Sequence, residues 1–418
     1  MAIEKYLIYI NGRRNSHERI AEVMAAQNVG CKIIAIGDNI PNYIKPLVSI
    51  WAEIDTQNMP ACVELARQYA ENHKVVGVVN WSETDVSLRN LIARDLNLPL
   101  MTDDVVRRSR NKVEMKRALA HIPDLIPKFA CVRTETELVH ALEDIGFPAV
   151  IKPVGGSGSK GIFQLRSLED IAAAMRYLPL IANVDHDPVF AGTVGEYIVE
   201  EYLDGPEVSV EGFVSDIGVH LVGITDKWTT EPFCLELRHV FPSNKPLELQ
   251  EEINSKAKLA VAALGLANCT FHLEGRCTSR GFRFIECAAR PGGDYITTHL
   301  LPISLGGVHL ENCLRVTMGE VPKVNVKPLI HATARFVFAE RSGTFVGITG
   351  NELAQCNSIV EHIFINTQPG SRVRLPPEYF SEQRVAVVIG KDSSYDNLIV
   401  ETEKVATRLR VIMAEDNH

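Results

Sequence analysis

Glu274 and Glu286 flank a short turn in Phe271-His272-Leu273-Glu274-Gly275-Arg276-Cys277-Thr278-Ser279-Arg280-Gly281-Phe282-Arg283-Phe284-Ile285-Glu286-Cys287-Ala288-Ala289-Arg290. A three-residue loop, Ser279-Arg280-Gly281, with Gly281 in the left-handed position of a bulged hairpin, pairs Thr278 with Phe282 and brings Glu274 opposite Glu286. The same register gives Phe271, Leu273, Ile285 and Cys287 to the other, core-facing side. A loop of two or four residues would send the acids to opposite faces. Like charges about 5 Å apart across a sheet are unfavourable unless a cation lies between them. Magnesium is the natural candidate, because it takes a few carboxylates and completes its octahedron with phosphate oxygens and water. A solvated acidic face is the alternative. Arg290 shares the face of Glu286 by strand parity, and its planar fork suits a carboxylate or acyl phosphate; a surface salt bridge is the plainer use.

The stretch Val150-Ile151-Lys152-Pro153-Val154-Gly155-Gly156-Ser157-Gly158-Ser159-Lys160-Gly161-Ile162-Phe163 contains a G-x-G-x-x-G match. A dinucleotide-binding loop needs a helix directly after its third glycine, since the pyrophosphate rests on that helix's first amides. Here Ile162-Phe163-Gln164-Leu165 is β-rich, and the spacing around Lys160 is not that of a G-x-x-x-x-G-K-[ST] phosphate loop. The glycines therefore join two strands as a flap whose amides can close over phosphates, with Lys152 supplying charge beneath, unless the hairpin is merely an unliganded surface turn. Downstream, Tyr197-Ile198-Val199-Glu200-Glu201-Tyr202-Leu203-Asp204-Gly205-Pro206-Glu207-Val208-Ser209-Val210-Glu211-Gly212 reads as strand, linker, strand. Free backbone groups in such a linker can pair with adenine, and Glu207 can take both ribose hydroxyls.

Together, VIKPVGGSGSKG and VEEYLDGPEVSVEG resemble the ATP-grasp superfamily over roughly residues 100 to 300. The resemblance implies ATP held between two α+β units. Lys112 and Lys152 would contact its phosphates beneath Gly156, Ser157, Gly158 and Ser159. Glu200 would meet the adenine amino group, Glu201 and Leu203 the adenine through their backbones, and Glu207 the ribose. Glu274 and Glu286 would hold magnesium, for which manganese could substitute. Many members carry asparagine two residues after the second acid, where this chain has Ala288, a departure that bears on any second magnesium.

The run Glu286 to Asp294, E-x-x-x-R-x-G-G-D, looks like the carboxylate–amine ligase branch, especially the bacterial L-amino acid ligases that make dipeptides. There Arg290 would bind a substrate carboxylate and steady the tetrahedral intermediate, near Gly292 and Gly293. Glu236 and His239, in Thr225 to Ser243, match an acid and a histidine lining that branch's active site, although a lone histidine is often structural. The implied reaction runs through an acyl phosphate and releases ADP and phosphate. Other ATP-grasp ligases, of purine-biosynthetic or carboxylase type, and a non-catalytic ATP-binding regulator are the rival readings.

The elements that must position these residues form an α/β and α+β chain: an N-terminal parallel α/β domain, a small lid subdomain and a C-terminal antiparallel-sheet domain. Residues 1–110 alternate β-rich runs (Tyr6-Ile10, Lys32-Gly37, Val75-Val79) with helical patterns (Ser16-Gln27, Met59-Asn72, Asp85-Leu96), which predicts a parallel sheet. Ligands sit past the carboxyl ends of such strands, which draws attention to Asn80 to Asp85. A capped helix from Ser109 to Leu119 carries Asn111 and Lys112, and the lid is expected over 111–190. Residues 191–418 make the large domain, with a helix over Glu251-Leu264, a strand-rich extension from Pro328 and a closing helix, Asp396-Arg410. Asp185-His186-Asp187 reads as a solvated loop rather than a metal site.

With 418 residues, 46% of them hydrophobic, the chain can bury several cores. A net charge of -9 favours small-molecule partners, ATP and amino acids, over nucleic acid. Without an apolar run of membrane-spanning length or a signal-peptide pattern at Met1 to Lys5, a cytoplasmic protein with no membrane partner is expected. Nine cysteines without a C-x-x-C pair fit reduced thiols. A homodimer is an admissible assembly.

Overall fold

Alternating strands and amphipathic helices leave the N-terminal part no way to bury its apolar residues except as a sheet covered on both faces. The computed structural model, which describes residues 4–12, 15–185, 187–323, 327–350, 357–380 and 382–414, has that layout. Its parallel sheet runs in the order Ile50–Glu53, Cys31–Gly37, Lys5–Ile10, Lys74–Asn80. Helices Ser16–Asn28, Met59–Asn72 and Val86–Asp95 accompany it. The strand order turns at Lys5–Ile10, so its end and that of Lys74–Asn80 open a crevice where Asn11, Gly12 and Trp81 to Asp85 lie.

The expected single helix from Ser109 to Leu119 is two, Asp103–Arg110 and Lys112–Leu119. Asn111 ends the first with an extended backbone, and its side chain accepts from Val113 and Glu114 N–H to cap the second. That break points Lys112 and Lys116, one turn apart, along one helix face.

A small antiparallel sheet has the order Phe129–Val132, Tyr197–Glu201, Ala149–Pro153, Phe163–Leu165, with helices Glu135–Ile145 and Glu169–Ile181 packed on it. Its second strand comes from beyond residue 190, the expected lower boundary of the large domain. The glycine loop joins Ala149–Pro153 to Phe163–Leu165, which pair antiparallel, as strand–loop–strand requires. His186 lies outside the described residues, while Asp187 caps the turn Pro188–Phe190 and meets Lys160.

The third layer is an eight-stranded antiparallel sheet ordered Gly281–Ala288, Cys269–Thr278, Glu207–Ser215, Gly218–Thr229, Glu236–Phe241, His331–Phe338, Arg384–Asp392, Val360–Ile365. Helix Leu247–Leu264 begins four residues before its expected start and buries Ile253, Ala257, Ala260, Val261 and Leu264 against the hairpin's Phe271, Leu273, Phe282 and Phe284. The closing helix is Tyr395–Arg408, and a strand the sequence pattern did not suggest, Arg410–Ala414, follows it. Among the described residues the cysteines are free, and no helix is long and apolar enough to cross a membrane.

Candidate active site

The hairpin reaches its register by a route the sequence reading did not contain. Its loop has two residues, because Thr278 pairs with Gly281 and Cys277 with Phe282. A two-residue loop alone would put the acids on opposite faces, but a bulge at Ile285 shifts the phase back and leaves Glu274 opposite Glu286. The core assignment changes accordingly. Phe282 and Phe284 join Phe271, Leu273 and Cys287 in the core, while Ile285 lines the site cavity.

That cavity, of about 760 Å³, lies where the three layers meet. The glycine loop, the linker Glu200 to Leu203, Glu207, Glu236, His239, Glu274, Glu286, Arg290 and Gly293 all line it. Gly292 is not among its lining residues and packs instead against a buried pair: a β-carbon there would fall 2.6 Å from Glu211 Oε2 and 2.9 Å from His272 Nδ1.

Each lysine is held by an acid. Lys112 Nζ lies 3.0 Å from Glu286 and donates to the Gly156 carbonyl at 2.9 Å. Lys152 meets Glu200 at 2.5 Å, and Lys116 meets the same carboxylate at 2.9 Å. Burial alone would raise the Glu200 carboxyl, but the two ammoniums outweigh it and hold it down at about 2. Lys116, fully buried, is pushed down to about 8 by the same burial despite its partner. Glu200 therefore stands between two lysines at the place expected to read adenine.

Lys227 is the centre of a second cluster. It sits directly across the sheet from Glu207, and its ammonium is 3.0 Å from Glu207 and 2.8 Å from Glu236 and also contacts Glu274. Oxygens of these three acids lie within 4.8 Å of one another. Burial raises Glu236 to about 8, with the charges of Glu207 and Glu274 adding to it against Lys227. Burial would also raise Glu274, but Lys227 and His272 hold it well below the usual carboxylate range. His272 bonds Glu211 at 2.7 Å and Glu274 at 2.9 Å, and those acids overcome its burial to raise it to about 9. Glu207 is also 3.3 Å from Arg276 Nε, which fixes its position from the other side.

His239 is 1% exposed, and neither ring nitrogen has a hydrogen-bond partner. Burial, reinforced by Lys227, lowers it to about 3, so it is neutral and suited to hydrogen bonding rather than to donating a proton as imidazolium. Arg290 reaches out of the hairpin to the parallel domain, with Nε 3.3 Å from Glu83 and Nη1 donating to Pro291 C=O at 2.8 Å. The linker is partly committed: Glu201 N–H donates to Lys128 C=O at 2.9 Å, and Leu203 C=O accepts from Arg276 at 3.0 Å. The glycine loop is tied across the cavity by Ser159 Oγ donating to Cys234 C=O at 2.8 Å. Gly156, at φ +108, approaches so closely that a β-carbon would lie 2.7 Å from the Phe190 ring.

Lys116, Lys227, Arg276 and His272 were passed over in the sequence, whereas Glu83 lies in the segment Asn80 to Asp85 that strand order had marked out. Lys116 had a signal, helical spacing from Lys112. Lys227 and Arg276 had none until the strands were paired, since both are placed by lying opposite Glu207.

A model of the ATP-grasp domain matches residues 145–299. Across 402 residues, covering 96% of this chain and 81% of the other, the sequence is 24% identical to the uncharacterized protein y4rH of Sinorhizobium fredii. It is 28% identical over 198 residues to alanine–anticapsin ligase of Bacillus subtilis, covering 44% of this chain and 42% of that one. A formate-dependent phosphoribosylglycinamide formyltransferase of Prochlorococcus marinus is 24% identical, with 93% of each chain covered. Among solved structures, an L-amino acid ligase from Bacillus licheniformis superposes with a TM-score of 0.87 at 21% identity, covering 99% of this chain and 100% of that one.

Proposed function

We propose that this chain, which carries an ATP-grasp domain and the ATP-grasp fold, is an ATP-dependent carboxylate–amine ligase that joins the carboxylate of one L-amino acid to the amine of another. One observation carries the reading: the lysines and glycine loop suited to a triphosphate, the opposed acids, and Arg290 with Glu236 and His239 all line a single cavity. A protein that only sensed ATP would have no use for the last three. The similarity to an alanine–anticapsin ligase supports the same reading. The formyltransferase relative makes formate and phosphoribosylglycinamide the alternative substrates.

In the proposed reaction a carboxylate oxygen attacks the γ-phosphorus of ATP, the bridging bond to the β-phosphate breaks, and ADP leaves. Lys112, Lys152 and the loop amides neutralise the moving phosphoryl group. The all-oxygen donor set of Glu274 and Glu286 suits magnesium, which when bound would add charge neutralisation at the phosphates. The amine of the second substrate then attacks the carbonyl carbon; a C–N bond forms, phosphate departs and the amine loses a proton. Arg290 steadies the oxyanion, and the loop tied down through Ser159 keeps water from the acyl phosphate.

The test is to incubate the protein with ATP, magnesium and single amino acids in hydroxylamine. A hydroxamate identifies the activated carboxylate. ADP release with neither hydroxamate nor dipeptide from any amino acid would overturn the assignment, and turnover with formate and phosphoribosylglycinamide would replace it.

A further inference from the structure

Lys227 does something that binding a phosphate or a substrate would not require. The Lys227 ammonium pairs with three different glutamates, Glu207, Glu236 and Glu274, and donates a hydrogen bond to Glu274. In the ATP-grasp reading Glu207 would meet the ribose and Glu274 the metal, and Glu236 lines the same cavity. They come from three strands, and their oxygens lie within 4.8 Å of one another, which is the spacing of a cation's ligand set. The lysine occupies the middle of that set with its side chain 1% exposed.

We propose that Lys227 is a positioning residue that stands in for a cation among Glu207, Glu236 and Glu274, so that a divalent ion enters only together with a nucleotide. The proposal rests on the ATP-grasp reading of the site. A metal ion arriving alone must displace a buried ammonium and leave it without a counter-charge, which is strongly unfavourable. A metal arriving on a nucleotide brings phosphate oxygens that can replace Glu274 as partner, while ribose hydroxyls engage Glu207 and the ammonium keeps Glu236. The neighbouring cations agree with this division. Arg276 remains on Glu207 and His272 on Glu274, so neither acid is stranded during the exchange.

The experiment is a manganese titration of the full chain without nucleotide, following the loss of the free-ion electron paramagnetic resonance signal. Wild type should bind manganese weakly unless ADP is added. Lys227→Met should gain a nucleotide-independent manganese site at least about tenfold tighter than any in wild type, because the three acids lose their cation. Lys227→Arg, which keeps the charge, should behave as wild type. Equally tight manganese binding by wild type with and without ADP overturns the proposal, as does a folded Lys227→Met protein with no gain. The wild-type comparison decides the matter should Lys227→Met fail to fold. The readout involves no ligation, so a failure to make dipeptides would overturn the proposed reaction and leave this result standing.

Discussion

Replacing Glu200 by glutamine removes one charge that two buried ammoniums share, at 2.9 Å from Lys116 and 2.5 Å from Lys152. The carboxyl falls from 4.5 to about 2 in the fold. At about 1.4 kcal/mol per pH unit, that drop corresponds to roughly 3 kcal/mol of stabilisation. Removing one partner of a buried pair, which leaves the other charge unmatched, costs about 3–5 kcal/mol, the same range. Because the folded value is the lower one, this stabilisation is complete above 4.5 and is lost as pH falls from there towards 2. Urea unfolding followed by circular dichroism should therefore show Glu200→Gln less stable than wild type by about 3 kcal/mol near neutral pH, with the gap closing in acid. Adding Lys116→Met should restore part of the loss, since Lys116 is pushed down to about 8 by burial and gains from losing its charge once Glu200 is gone. A single variant as stable as wild type at neutral pH, or a gap that acid does not change, would refute this account of the triad.

Arg290→Ala should abolish ligation while leaving ADP affinity nearly intact in calorimetry, since Arg290 touches Glu83 and Pro291 but none of the nucleotide-side lysines; equal loss of both would contradict its assigned role. His239 is neutral in the fold and lowered from 6.5 to about 3, so the unfolded chain takes up its proton first and stability falls as pH drops through that interval. The loss reaches roughly 4 kcal/mol at the acid end, and His239→Gln should flatten the profile in pH-dependent urea titrations. Gly205→Ala places a β-carbon 2.1 Å from the Cys277 carbonyl oxygen at φ +85. It should cost about 1–3 kcal/mol in thermal unfolding and weaken ADP binding by shifting the linker; an unchanged melting temperature would be the contrary result.

The opposition of Glu274 and Glu286 was legible because strand parity leaves only two choices and the chemistry selects one. The turn that produces it was not, since a three-residue loop and a two-residue loop plus a bulge give the same faces beyond Ile285. The strand–loop–strand character of the glycine stretch was readable from Ile162 to Leu165. The break at Asn111 was hidden because both helices carry helical patterns and only the cap separates them. Lys227 looked like one charge among many, and its weight comes from non-local pairing that places Glu207 across the sheet and brings Glu236 and Glu274 within reach. Gly292 fits a substrate loop by sequence, yet its closeness to Glu211 is a matter of packing that no local pattern encodes.

The bulge at Ile285 has a consequence for how this hairpin can change in length. The short turn and the extra residue each invert the side to which everything downstream points, and together they cancel. Removing Ile285 alone would swing Glu286 and Arg290 away from Glu274 together, losing a metal acid and the oxyanion arginine in one deletion. An odd insertion at Ser279-Arg280 would do the same, whereas paired changes, one at the tip and one at the bulge, keep the side chains on their faces. Related chains should therefore tolerate length variation here only in even steps.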